Sequence, residues 1–275
     1  EKLEQFDNTI FERIQLELDK AYIYEMVGEF EKSKKNLEKA KKTTNTLPLN
    51  ESSEKIADTF LKLGNACSEF MQLDDALSFY ERANKMYNVL FKIQNISPDL
   101  KYVLALSYEK LGQTHEALGN LTMSLKFYEQ RSELGKQLYE AFPNDVIYKK
   151  GVAISYFKLG QTHEALGNLS MSLKYYEEEA VLFEQLRESF PNNMDFKNGL
   201  AISYSKLGSR YAVLGNLKKS LKYHEEYNSL MKQISESFPN NVYYKNGLAA
   251  SYSKLGETHS SLGNLKESLK YKIKQ

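Results

Sequence analysis

Residues 145–192 read DVIYKKGVAISYFKLGQTHEALGNLSMSLKYYEEEAVLFEQLRESFPN, and this stretch decides the fold. From Asp145 to Leu166, the residues Tyr148, Val152, Tyr156, Leu159, His163 and Leu166 recur at steps of three and four, the period of one helical face. Gly167-Asn168 interrupts the pattern, and Leu169, Leu173, Tyr176, Ala180, Phe183, Leu186 and Phe190 resume it at the same steps. Two helices of about 21 residues, each roughly 31 Å long at 1.5 Å per residue, are therefore predicted, first A and then B. So short a connection forces them antiparallel. Pro191 cannot continue a helix, and Asn193 suits the N-cap of the next one.

The same pair recurs along the chain. Leu-Gly falls at Leu63-Gly64, Leu111-Gly112, Leu159-Gly160, Leu207-Gly208 and Leu255-Gly256, each 48 residues after the last. Pro143, Pro191 and Pro239 keep that spacing, whereas Pro98 lies three residues off register. A period of this size predicts a solenoid of stacked units sharing one continuous core. Six repeats are expected, at 1–49, 50–97, 98–144, 145–192, 193–240 and 241–275, in a single elongated domain. The first is irregular, as terminal repeats commonly are, with Tyr22, Tyr24 and Met26 ahead of Gly28-Glu29-Phe30. The last is incomplete, because the segment equivalent to Leu265–Gln275 runs on for ten or more residues in earlier repeats; together with a first residue other than Met, this suggests part of a larger protein.

Glycines mark two structural roles. Gly119, Gly167, Gly215 and Gly263 fall in the tight A-to-B turn, where a permissive backbone is needed, and the first full repeat has Met71 there instead. The Leu-Gly glycines lie on a buried helical face. Their cost of about 1 kcal/mol in helix propensity must be offset by close approach of a neighbouring helix. Gly151, Gly199 and Gly247 form a second such column.

In order, Tyr156, Leu159-Gly160, His163, Gly167, Ser172, Tyr176 and Ala180 resemble the tetratricopeptide repeat family: a large residue, Leu-Gly, an aromatic, a turn glycine, then small, aromatic and small positions on helix B. Ala76 and Tyr80 match more closely in the first full repeat. Two features depart from the family pattern: the period exceeds the usual one near 34 residues, and Ser124, Ser172, Ser220 and Ser268 fill the small helix B position. HEAT and armadillo repeats suit the length but lack the Leu-Gly and Gly-Asn-Leu signature. The resemblance implies an all-α, right-handed superhelical array of antiparallel helix pairs that binds protein partners.

No catalytic constellation stands out. A nucleophile, base and orienting acid do not recur together, Gly-Asn-Leu is a turn and not a phosphate loop, and Thr162-His163-Glu164 occupies successive positions that diverge around the helix. The chain is read as non-enzymatic, with no cofactor. His115, His163 and His259 occupy one equivalent position, but stacked helices stand about 10 Å apart. Zinc ligands must come within about 2.1 Å of the ion. Tyr211 and Cys67 take the same position in other repeats, so packing residues with a polar tip are expected there, and His224 is read likewise.

The remaining candidate site is the helix A face opposite the core. On a helical wheel Ile154, Phe157, Lys158, Gln161, Glu164 and Ala165 fall together, away from Tyr156, Leu159, Gly160 and His163. The resemblance implies that this face lines the concave groove holding a peptide or partner helix. The candidate groove residues are Phe157, Lys158, Gln161 and Glu164, with Glu109, Lys110, Gln113 and Glu116 one repeat earlier and Ser205, Lys206 and Ser209 one repeat later. A lysine recurs at Lys62, Lys110, Lys158, Lys206 and Lys254, read equally as recognition or as a solvated row. Phe157 is an aromatic among polar equivalents, a candidate anchor or a packing residue. The Lys/Asn arrangement of chaperone-binding relatives is not reproduced, so that specificity does not carry over.

Composition bounds the partners. Lys and Arg number 37 against 36 Asp and Glu, a formal net charge of +1, which gives no general affinity for polyanions. The charge is uneven, however: residues 194–275 hold 13 basic and 6 acidic residues, so an acidic partner at the C-terminal repeats is an expectation, and nucleic acid ranks below protein. The one cysteine, Cys67, excludes an internal disulfide, and no apolar run approaches the roughly 18 residues of a membrane span, so a cytoplasmic location is expected. The abundance of Asn, Lys and Tyr suggests a bacterial source. Two function classes follow: an interaction scaffold first, and second a sensor array of a larger bacterial effector with a protease, nuclease or NTPase domain.

Overall fold

The structure, a computed structural model, describes residues 2–47, 53–93 and 97–274. Among these the chain is all-α. Twelve α-helices run α1 (Lys2–Met26), α2 (Phe30–Thr43), α3 (Glu54–Glu69), α4 (Leu73–Ile93), α5 (Pro98–Ala117), α6 (Leu121–Ala141), α7 (Val146–Ala165), α8 (Leu169–Ser189), α9 (Met194–Val213), α10 (Leu217–Ser237), α11 (Val242–Ser261) and α12 (Leu265–Lys274), with a 3-10 turn at Thr44–Thr46 after α2. The repeat boundary expected between residues 49 and 50 lies outside the described residues.

Each helix pair is punctuated by the residues that suggested it. Helix A ends in a Schellman motif: in the third full repeat the Gly167 amide donates to the Glu164 carbonyl and the Asn168 amide to the His163 carbonyl, at 3.0 and 2.8 Å. The geometry requires a left-handed residue, and Gly167 supplies it at φ +77°. Met71 adopts the same conformation at φ +59° with a side chain attached. The next residue then caps helix B, since Asn168 and Asn216 accept from the amides of Met171 and Lys219. Asp145, Asn193 and Asn241 cap the A helices in the same way, and Pro98 occupies the first turn of α5 behind the Ser97 cap.

The packing divides into two compact units, residues 1–134 and 135–275. In the first, α1 to α5 and the start of α6 close over Phe60, Leu63, Tyr80, Tyr87, Leu104 and Leu111. In the second, α7 to α11 enclose Tyr176, Leu186, Leu200, Leu207 and Ile234. Each fully buried side chain of this size contributes about 1.5–3 kcal/mol.

Glycines on helix A make the intimate contact. A Cβ on Gly64, Gly112 or Gly160 would stand 2.5, 2.6 or 2.7 Å from the ring of Tyr80, Tyr128 or Tyr176 of the paired helix B. One on Gly208 would meet His224 at 2.2 Å. The second glycine column serves the next interface: Gly199 admits Phe183, and Gly247 admits Met231, from the preceding helix B. The aromatic rings thus pack into slots that only glycine leaves open.

Candidate partner-binding face

Side chains of the expected face occupy one stripe of each A helix. On α7, Phe157, Lys158, Gln161 and Glu164 are all half-buried, as are Ser205, Lys206 and Ser209 on α9 and Glu109, Lys110, Gln113 and Glu116 on α5. On α7 the stripe lies opposite Leu159 but borders Gly160, since Gly160 and Glu164, one turn apart, both meet Tyr176 of α8, the first at its ring and the second at its hydroxyl.

Several of these side chains are tied into their own repeat. Glu109 accepts from the buried Arg131 Nε at 3.0 Å and from Gln113 at 3.1 Å, and Glu116 accepts from the Tyr128 hydroxyl at 2.7 Å. Phe157 sets its ring 6.2 Å from that of Tyr176 and packs against the core of its unit. Lys254 pairs with Glu257 of its own helix at 3.4 Å, whereas Lys62 donates to Gln15 of the preceding repeat at 3.2 Å.

Glu164 is the most connected member. Its Oε2 accepts from the buried Tyr176 hydroxyl at 2.9 Å and lies 3.7 Å from Lys206 Nζ, while Oε1 lies 3.2 Å from Arg210 Nη2. Burial, and then the hydrogen bond to Glu164, push the Tyr176 phenol far above its ordinary value. One carboxylate on α7 is therefore shared by two cations of α9 and a phenol of α8. Arg210 Nε is buried with no hydrogen-bond partner among the described residues.

Sequence reading missed Arg210 and Glu179. The signal for the first was a broken column: the equivalent residues Thr114, Thr162 and Thr258 are buried threonines donating to the carbonyl four residues earlier. Glu179 of α8 is 2% exposed, and its Oε2 has no hydrogen-bond partner among the described residues. Burial pushes its carboxyl up to about 8, against weaker opposition from a Ser203 hydrogen bond and the Lys206 charge. Its equivalent one repeat earlier is Arg131, whose partner Glu109 corresponds to Phe157.

The histidine column stacks. His115, His163 and His259 lie 5.4, 5.5 and 5.5 Å from the rings of Phe127, Tyr175 and Tyr271, and Tyr211 stacks on Tyr223 in the same way at 5.6 Å. His224 is buried, its Nδ1 2.8 Å from the Thr258 hydroxyl, and burial, reinforced by Lys254, pushes it down to about 4. No cluster of three metal-ligating side chains occurs among the described residues, and none of their helices is long and apolar enough to cross a membrane.

Residues 153–178, running from α7 through the turn into α8, match the tetratricopeptide repeat family. The chain has a tetratricopeptide-type repeat fold. Solved structures with this arrangement include BtubC from P. vanneervenii, 14% identical over 96% of this chain and 89% of that one, with a TM-score of 0.63. A STAND ATPase with a tetratricopeptide repeat sensor from Pyrococcus horikoshii is 16% identical over 94% of this chain, also at a TM-score of 0.63, and the chain spans 35% of that protein's length. Aspartyl phosphate phosphatase F from Bacillus subtilis matches at 11% identity over 98% of this chain and 71% of its own, with a TM-score of 0.61. Comparison with curated protein sequences gives no match. Tetratricopeptide-type arrays are in general protein-interaction scaffolds.

Proposed function

We propose that the chain is a non-catalytic scaffold that receives an extended segment or helix of a protein partner along the open stripe of its A helices. The observation supporting this most directly is the row of half-buried polar side chains on α7 and α9, centred on the Glu164, Lys206 and Arg210 cluster. Such a row offers alternating hydrogen-bonding and charged groups without being sealed into the core. Residues 194–275, with 13 basic against 6 acidic side chains, favour an acidic partner there. The single, buried Cys67, whose thiol is pushed up to about 12 chiefly by burial, suits a cytoplasmic setting.

The test is steric. Gln161→Tyr with Ser209→Tyr fills the stripe without altering charge, and Lys174→Tyr with Lys222→Tyr alters the exposed side of α8 and α10 as a control. After circular dichroism shows both variants folded, capture from a lysate is compared with the unmodified chain. Loss of a captured protein by the first variant alone supports the stripe as the docking face. Equal capture by all three removes it.

A second reading, a sensor array within a larger bacterial effector, is favoured by the likeness of almost the whole chain to the STAND ATPase with its repeat sensor. A catalytic motif in the same open reading frame would support it, and an intact frame without one would count against it.

A further inference from the structure

We infer that Arg210 and Lys206 form a receptor for an acidic side chain of the partner, and that Glu164 is its built-in competitor. This rests on the reading that the open stripe of the A helices is a docking face.

The repeat architecture does not demand Arg210. The equivalent residues are Ala66 and the compact Thr114, Thr162 and Thr258, whose hydroxyls satisfy their own helix. An arginine there brings a long side chain and a charge to the interface between α7 and α9. Lys206 reaches the same point, standing 3.7 Å from Glu164 while Arg210 stands at 3.2 Å. Two cations thus share one carboxylate, and the cluster keeps a net positive charge. The Nε of Arg210 is buried and has no acceptor among the described residues, so an incoming carboxylate meets the guanidinium at its terminal nitrogens.

The side chains concerned are reachable. Those of Lys206 and Glu164 are 33% and 27% exposed, and that of Arg210 17%. Glu164 keeps a partner when the cations turn to another carboxylate, because the Tyr176 hydroxyl donates to its Oε2 at 2.9 Å. An incoming Asp or Glu competes with Glu164 for the guanidinium and the ammonium. The occupant is accordingly an acidic peptide segment, matched to a stretch that carries 13 basic against 6 acidic residues. Glu164 sets the affinity threshold: it keeps the receptor from binding isolated carboxylates and yields to a segment that makes further contacts along the stripe.

The test uses Glu164→Gln, whose amide oxygen keeps an acceptor for Tyr176 while removing the charge. Binding of two labelled octapeptides, alternating Glu/Ala and alternating Gln/Ala, both blocked at their ends, is measured by fluorescence anisotropy. Glu164→Gln should bind the Glu peptide about five- to tenfold more tightly than the unmodified chain, with no gain for the Gln peptide. Adding Arg210→Gln or Lys206→Gln to it should abolish the gain. An unchanged affinity, an equal gain for the Gln peptide, a gain that survives loss of both cations, or no binding by any variant overturns the proposal. If Gln161→Tyr with Ser209→Tyr still blocks partner capture in such a case, the docking face stands and only the acidic receptor falls.

Discussion

Glu179→Gln should stabilise this protein at neutral pH and leave it unchanged in mild acid. The carboxyl of Glu179 is 2% exposed, and burial holds its folded value near 8 against an ordinary value of 4.5. The sign follows from the direction. A raised carboxyl keeps its proton in the folded chain, while the unfolded chain sheds it above 4.5, so the contribution is fully present below 4.5 and is lost as pH rises through 8. At pH 7 the gap between 4.5 and 7 corresponds to about 3 kcal/mol at 1.36 kcal/mol per pH unit. Glutamine has nearly the same shape and cannot ionise. Melting followed by circular dichroism at pH 4.5, 6, 7 and 8 should therefore show coincident curves at the lowest pH and a widening gap above it. At roughly 2–4 °C per kcal/mol for a unit of this size, the gap at pH 7 should reach about 6–12 °C. A difference independent of pH, or a variant less stable at pH 8, would refute the account of Glu179 as a buried, protonated acid.

His224 gives the opposite limb. Its folded value is pushed down to about 4 from 6.5, so its stabilising contribution is complete above 6.5 and lost as pH falls through 4; His224→Phe should flatten that limb, worth about 3 kcal/mol, in melts between pH 4 and 7. Within the Leu-Gly column, Gly160→Ala forces a Cβ to 2.7 Å from Tyr176 and should lose about 1–3 kcal/mol in urea unfolding, whereas Gly256→Ala comes no nearer than 3.3 Å to Lys272 Cγ and 3.5 Å to the Ser268 carbonyl, and should be neutral or gain up to about 1 kcal/mol. Met71→Gly relieves a left-handed φ of +59° and should raise the urea midpoint by the equivalent of about 1 kcal/mol.

Helix order and turns were legible in the sequence because each depends on local chemistry. Gly-Asn-Leu supplies a left-handed residue, a cap and a first apolar contact within three positions, and Asn193 or Asp145 caps a helix whichever neighbour it meets. The Leu-Gly glycines were also readable as places of close approach. What filled them was not, because the partner ring lies sixteen residues on, and a period of 48 says nothing of which helix B position faces which helix A position. The division of packing between residues 1–134 and 135–275 left no local mark either, since the chain passes through it in the middle of α6.

The candidate face shows where a repeat hides function from a reader of one sequence. Periodicity points to a candidate side of helix A, but it averages over repeats, while what sets one repeat apart lies in departures from the average. Arg210 replaces a threonine, Glu179 stands where Arg131 does one repeat earlier, and His224 replaces a tyrosine whose acidic partner has also become Ala212. The last two are each paired with a change on a neighbouring helix, Phe157 standing where Glu109 does and Ala212 where Glu164 does. Tyr176 needs Glu164 as an acceptor, whereas His224, without a hydroxyl, turns instead to Thr258 at 2.8 Å. Exchanging His224→Tyr alone would bury a phenol where Ala212 offers no carboxylate, and should cost about 1–3 kcal/mol in unfolding experiments. Adding Ala212→Glu should recover most of that loss. A tyrosine tolerated without the glutamate would show that the column is set by ring packing against Gly208 and not by the polar pair.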